Sequence, residues 1–339
     1  MLDVIKNRVS FYIIALVLFV ISLIPAIFIP LNLGIDMTGG VQLEYNYTKD
    51  LKIEDIRKQI EEMSKKLVSG GESIITSMQV YKISGENKFS IIAGFNSGDM
   101  EEKELDSMKN TFKAEVLETL KKQDSTITET QYINIGKNFG DYIKKTALLT
   151  FAISLVGIGL YVAWAFSGFA TGISPVSFAS ITILTLFHDV FVAAGLYILA
   201  SFFFKEFQID TFFVTAVLTI LGYSINDTIV IFDRIRTNIA KNVKTKKKPD
   251  LKDIINESIN ETLARSIYTS LTLFIVLVAI FFFGPEAIKG FILVMIFGTV
   301  VGTYSSIFIA SPLLYDFNKN QELKIVEKKK YNPDDKIVV

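Results

Sequence analysis

Six apolar stretches, each about as long as a bilayer is thick, constrain this chain more than any other feature. They fall at 11–31, 143–166, 174–203, 211–232, 266–283 and 288–314. A helix needs about 20 mostly apolar residues to cross the hydrocarbon core. Inside that core every backbone N–H and C=O must be bonded within the segment or its protein neighbours. The expected fold class is therefore a membrane protein, an α-helical six-span bundle in a 1+5 layout. One long water-soluble segment, 32–142, separates the first span from the other five. Half of all residues are hydrophobic and 28 are Phe, yet 32–142 and the tail 315–339 have ordinary soluble composition, so the excess sits in the spans. The formal net charge of zero says nothing about partners, because the distribution of charge decides that. With no Cys there is no disulfide framework and no thiol chemistry.

The N-terminal ten residues carry Lys6 and Arg8 ahead of an apolar run, as a signal peptide does. That run is too long for one, contains Pro25 and Pro30, and lacks a small-x-small cleavage site, so it is expected to be a retained first span. Basic residues flank alternate span ends. Lys6 and Arg8 precede span one, and Arg234, Arg236, Lys241, Lys244, Lys246, Lys247 and Lys248 lie in the loop 233–265 between spans four and five. Lys328, Lys329 and Lys330 follow span six. The positive-inside rule then places both termini in the cytoplasm and 32–142 outside.

In the soluble segment, Gly39 and Gly40 permit a tight bend, after which Val41, Leu43, Tyr45 and Tyr47 alternate with polar residues as one face of a strand does. Leu51, Ile56, Ile60, Met63 and Leu67 recur at helical spacing until Gly70 and Gly71. Strands are expected at 74–83 and 88–95 around a turn at 84–87, a helix from a cap at Asp99 to about 122, and a strand at 126–135. The order β-α-β-β-α-β is that of a ferredoxin-like α+β sandwich. No metal spacing, triad or phosphate loop occurs in it, so it is expected to be a stable module without chemistry of its own.

The chemistry-bearing residues lie in the spans. Asn226 and Asp227 interrupt span four. Asp at a helix centre costs about 2.5–3.5 kcal/mol to insert, so such a residue faces a partner or a water-filled path. Span three holds the only histidine, His188, next to Asp189. The pair is either part of an ion path or a lock between helices. Arg265 stands where the sequence enters span five, and it either pairs with Asp227 or snorkels to the headgroups. Counted from the basic boundary at 1.5 Å per residue, Asp227 lies about 9 Å deep and His188 about 20 Å, too far apart for direct proton transfer. Residues 249–263 place Leu251, Ile254, Ile255, Ile259 and Leu263 on one face, as in a helix lying along the membrane surface, with Asn256 and Asn260 on a neighbouring stripe. Gly298 and Gly302 form GxxxG, a close-packing signature in span six. Trp164 falls near an interface, where aromatic rings are favoured.

Five stretches carry a resemblance: GIDMTGG at 34–40, FHDV at 187–190, GYSINDTIVIFDRIRTN at 222–238, NESINETLARSIYTS at 256–270 and GTYSSIFIASPLL at 302–314. In this order and with the 1+5 layout, the chain resembles the SecF family of protein-export membrane proteins, part of the resistance–nodulation–division superfamily. The resemblance implies a SecD partner around a twelve-helix core, work alongside the SecYEG channel and a YajC-type accessory subunit, and a preprotein substrate. It further implies that a proton or sodium gradient supplies the energy, with Asp227 and Arg265 associated with ion coupling. Gly34, Asp36, Gly39 and Gly40 belong to the first family motif, where Met37 stands in place of the usual Phe. No nucleotide-binding G-x-x-x-x-G-K-[ST] loop occurs. No cofactor, metal, nucleic acid or enzymatic activity is expected. A gradient can serve instead, since one charge crossing 100 mV gains about 2.3 kcal/mol. Two other readings fit less well: an ion-driven efflux transporter for lipids or small molecules, and a scaffold that stabilises a channel.

Overall fold

A computed structural model describes residues 2–48, 52–64, 68–69, 72–83, 87–95, 100, 102–167, 172–204, 206–244, 250–321 and 323. The expected helix ends at Leu67 and Gly70, the turn at 84–86, the Asp99 cap and the basic runs 246–248 and 328–330 lie outside the described residues.

The first long helix, α1 (Arg8–Phe28), leads into a short turn of helix, α2 (Ile35–Thr38), and then the α+β domain. Strand β1 (Gly40–Asn46) is followed by α3 (Ile53–Ser64), the two-residue strands β2 (Val68–Ser69) and β3 (Glu72–Ser73), then β4 (Ile75–Ile83), β5 (Lys88–Phe95), α4 (Glu102–Gln123) and β6 (Thr128–Ile135). The main sheet has the order β4-β5-β1-β6, with each neighbouring pair antiparallel. That is the ferredoxin-like arrangement the pattern predicts. Alternation in β1 and β5 sends Val41, Leu43, Tyr45, Phe89, Ile91 and Ala93 to one face. There they meet Ile56 and Ile60 of α3 and Phe112, Val116 and Leu120 of α4.

Five further helical spans follow: α5 (Lys137–Ser167), α6 (Pro175–Phe203), α7 (Thr211–Lys244), α8 (Leu251–Phe283) and a last one built from α9 (Lys289–Ser305), a π-helical turn (Ser306–Ala310) and α10 (Ser311–Asn318). All six candidate spans are long and apolar enough to cross a membrane. The centre of the bundle is α6 and the last span, half or more of whose apolar windows are buried, whereas α1, α5 and α8 leave most of theirs exposed. The π-helical turn has a local cause. Pro312 has no N–H to return to the ladder and its ring would crowd the carbonyl one turn back. Within this turn Ser311 Oγ donates to the Ser306 carbonyl at 3.0 Å.

One feature departs from the expected layout. Residues 251–263 are not a separate helix along the membrane surface but the first turns of α8, continuous with span five. Asp250 caps the start, its side chain accepting the Lys252 N–H, and no Gly or Pro interrupts the run before Gly284. The apolar face of Leu251, Ile254, Ile255 and Ile259 is covered by Ile231, Ile235 and Ile239 of α7, which likewise continues past the basic boundary to Lys244. Asn256 and Asn260 contact the N-terminal segment: their side-chain oxygens accept the Ile5 and Leu2 N–H groups at 3.2 and 2.9 Å.

Candidate functional site

On α7, the sequence SINDT places Ser224, Asp227 and Thr228 on the inward face, with Asn226 rotated to the outside. Asp227 is 4% exposed. Its Oδ2 accepts the Ser270 hydroxyl of α8 at 3.2 Å. Ser270 in turn accepts from Tyr223 of α7 at 2.8 Å and from Thr303 of α9 at 2.7 Å, so three helices meet at one hydroxyl. An Asp227–Arg265 pair does not form here. Ser266 and Ser270 are one turn apart on α8 and both buried, while Arg265, one residue earlier and about 100° round the helix, is exposed.

A second acid sits beside this one. Asp189 of α6 is 0% exposed. Its Oδ2 accepts the hydroxyls of Ser224 on α7 and Ser305 on α9, the latter at 2.6 Å, and its Oδ1 is 3.0 Å from His188 Nδ1. Thr228 and Ser306 are bonded at 2.8 Å and continue the hydroxyl row toward the π-helical turn. The contact of Asp189 with Ser224 corrects the depth obtained by counting. Ser224 and Asp227 are three residues apart, so the two acids differ by about one helical turn, roughly 4.5 Å along α7, rather than by 11 Å. Counting failed because the relative height of two helices is set by how they pack, here by the Asp189–Ser224 contact, and not by where each apolar run ends.

The glycines of span six make this seam possible. A Cβ on Gly298 would land on the Ile220 side chain, and one on Gly302 would press on Ser224 Cβ at 3.0 Å. Gly195 of α6 similarly lies against Ser22 of α1. Sequence reasoning did not single out Ser224 and Ser270, and it read Thr303 and Ser305 only as part of the close-packing face of span six. Each stands at a one-turn spacing from another small or polar residue, but only the relative rotation of three helices makes them partners.

The first motif lies at the junction with the α+β domain. Gly39 has φ 82°, which a side chain would strain. A Cβ on Gly34 would come within 2.9 Å of Asp210 Cβ, and one on Gly40 would meet the Ala93 carbonyl. Asp36 Oδ2 accepts the Thr211 N–H at 3.3 Å and Asp210 Oδ1 accepts the Phe213 N–H at 2.8 Å, so both carboxylates cap the start of α7. Residues 32–34 run beside Ile209, whose carbonyl accepts the Gly34 N–H at 2.9 Å. Burial pushes the Asp210 carboxyl up to about 6, with repulsion from Asp36 adding to it against the bond from Phe213.

Residues 115–320 match the family described as protein export membrane protein SecD/SecF, C-terminal. The chain is 34% identical to a protein translocase subunit SecF from Sebaldella termitidis over 100% of its own length and 99% of the relative's. It is 31% identical to a SecF from Thermobaculum terrenum, with 96% of each chain covered. Among solved structures it resembles SecDF, a translocon-associated membrane protein from Thermus thermophilus, with a TM-score of 0.67 and 27% identity over 92% of this chain. It spans 38% of that longer chain. This six-span chain belongs to the SecF family of protein-export membrane proteins.

Proposed function

We propose that this chain is an auxiliary subunit of the Sec protein translocase that, with a SecD-type subunit, uses a transmembrane proton gradient to promote preprotein export through a SecYEG-type channel. The observation that carries the reading is Asp227, a buried carboxylate in the middle of a span with a serine hydroxyl as partner and no ion pair among the described residues. Such a group is costly in lipid unless it serves an ion. In the cycle, a proton arriving from outside neutralises Asp227 and weakens the Ser270 bond that joins α7 to α8. Release of the proton inside restores it.

Several features support transmission to the α+β domain. The connection between α6 and α7 is bonded to the domain and its stalk: Asn32 Nδ2 donates to the Phe207 carbonyl at 2.8 Å and Gln79 Nε2 to the Glu206 carbonyl at 2.6 Å. With Asp36 on Thr211, a shift of α7 reaches the domain through direct bonds. The partner face is carried by α7 and α8. Thr215, Thr219, Gly222 and Asn226 on α7, and Arg265, Thr269 and Thr272 on α8, are exposed although they lie within candidate spans. Polar groups are poorly placed against lipid tails, so a SecD-type helix bundle is the natural cover, and Arg265 acts there rather than on Asp227 within this chain. The basic residues Lys6, Arg8, Arg234, Arg236 and Lys241 gather on the side opposite the domain, which favours a cytoplasmic location for both termini.

The test is export into membrane vesicles depleted of the native subunit, with an imposed proton or sodium gradient, comparing wild type and Asp227→Asn at matched levels. Wild type restores gradient-dependent export and Asp227→Asn does not. Equal restoration by both would return Asp227 to a structural role and favour the scaffold reading. Restoration by a sodium gradient alone would change the coupling ion.

A further inference from the structure

Asp189 presents an electrostatic problem that its neighbours only partly solve. It is fully buried at mid-span, and no Lys or Arg among the described residues bonds to it. The titratable groups on the elements packed around α6 are engaged elsewhere. Tyr12 of α1 donates to Asp316 of α10, which also holds Arg8; Tyr223 of α7 donates to the same serine as bonds Asp227; Tyr304 of α9 donates to the Phe11 carbonyl. On α5, the charged Asp141 and Lys144 pair with each other near the helix start, and Tyr161 stacks toward Trp164. Among the described residues, His188 is the basic group that bonds Asp189.

The hydrogen bonds favour one placement of the protons. Asp189 Oδ2 accepts two hydroxyls at once, as an ionised, acceptor-only carboxylate does. Facing such a carboxylate across 3.0 Å, His188 is placed to donate in its Nδ1–H tautomer. The other ring nitrogen, Nε2, is buried and has no hydrogen-bond partner among the described residues. It lies on a ring stacked near Phe19 of α1, centroids 6.3 Å apart. A bare nitrogen beside a fixed, uncompensated negative charge is a proton acceptor.

We propose that His188 and Asp189 form a proton-binding unit in their own right, distinct from Asp227, in which Asp189 stays ionised and the proton binds and leaves at His188 Nε2. The step transfers one proton from hydronium or water to Nε2. No bond between heavy atoms changes, and the unit passes from a net charge of −1 to zero. Because Asp189 also holds Ser224 and Ser305, the unit touches the same helices, α7 and α9, that meet at Ser270. The proton site stands on geometry alone, whereas its use in export rests on the reading of Asp227 above.

His188 is the only histidine in the chain, so selective labelling isolates it. The full chain, labelled with ¹⁵N-histidine, purified through a histidine-free tag and placed in lipid bilayers, gives one pair of ring nitrogen signals. In basic buffer these are expected to show Nδ1 protonated and Nε2 bare, and on acidification Nε2 is expected to take up the second proton. In Asp189→Asn that uptake is lost over the same range of buffers. An Nε2–H ring in basic buffer, or wild-type signals that do not change on acidification, would overturn the proposal even if the variant failed to fold. The export assay then separates the two ideas. Gradient-driven export is expected to fall at least about threefold in His188→Gln, since the site sits in a span where proton transfer is coupled to helix contacts. If Asp227→Asn keeps full export while the ring still titrates, the motor reading fails and the proton site stands.

Discussion

The α+β domain and the helical bundle bury their interiors with different residues. In the domain, Tyr45, Phe89, Phe112 and Ile91 fill the space between one sheet face and two helices, because in water the removal of apolar surface drives folding. In the bundle, Ile, Val and Leu side chains face outward over much of α1, α5 and α8, while Gly298 and Gly195 leave no room for a side chain against Ile220 and Ser22. Lipid tails solvate an apolar side chain as well as another helix does, so close approach and hydrogen bonds must specify which helices meet. The buried polar residues follow from this. Asp189, Ser224, Ser305, Ser270 and Asp227 act as the bundle's addresses.

The sharpest way to break this comparison is to enlarge a glycine in each setting. Gly298→Leu places a side chain where Ile220 already stands, and the bundle is expected to fail outright, with no monodisperse protein recovered in detergent. A Cβ on Gly222 meets nothing within 4 Å in this chain, so the isolated Gly222→Leu subunit is expected to fold as wild type. Its co-purification with a SecD-type partner is expected to fall at least about tenfold, because the leucine would occupy the face on which a helix must approach closely. Unchanged co-purification would move the partner to another face. In the domain the corresponding change is a deletion. Phe112→Ala empties a fully buried ring and is expected to cost about 3–5 kcal/mol, read as faster amide exchange across β1, β5 and α4 with the spans unaffected.

Much of this division was legible in the sequence. Hydropathy and length located all six spans, since a bilayer leaves few alternatives to a continuous apolar helix. Alternation in 41–47 gave β1 its buried face, and Gly39 marked the bend before it. What could not be read was rotation. Asp227 and Arg265 occupy comparable positions on neighbouring helices, yet the α8 residues that turn toward Asp227 are Ser266 and Ser270. A 100° step per residue separates the two outcomes, and it is set by packing against α9 rather than by local pattern. The continuity of α7 into Lys244 and of α8 from Leu251 was hidden for a related reason. Charged residues ended the apolar runs, but the helices had no cause to end with them.

A smaller effect is expected where the two regions meet. Asp210 is partly buried beside Asp36, and its carboxyl is pushed up to about 6. A carboxyl raised in the fold contributes stability that is complete below about pH 4 and is lost as the pH rises through about 6. At neutral pH its charge costs on the order of 2–3 kcal/mol. Asp210→Asn retains an oxygen to cap Phe213 and removes the charge. Its melting temperature is expected to exceed that of wild type at about pH 7.5 and to equal it at about pH 4. An equal gain at both would place the benefit in packing rather than charge.

The smallest effect sharpens the comparison most, because it asks whether the two regions fold as one unit. Gln79, on the edge strand β4, donates to the Glu206 carbonyl in the connection between α6 and α7, and the contact is exposed. Removing one exposed hydrogen bond costs about 0.5–1.5 kcal/mol at most. In Gln79→Ala the domain core and the bundle are each expected to keep their own exchange protection, with added exchange confined to 206–211. Gradient-driven export should fall more than stability does, since the bond lies on the route from α7 to the domain. If exchange instead rises throughout both regions, they share a single cooperative transition, and the contrast between a water-driven core and a hydrogen-bonded bundle would describe composition without describing two separately stable parts.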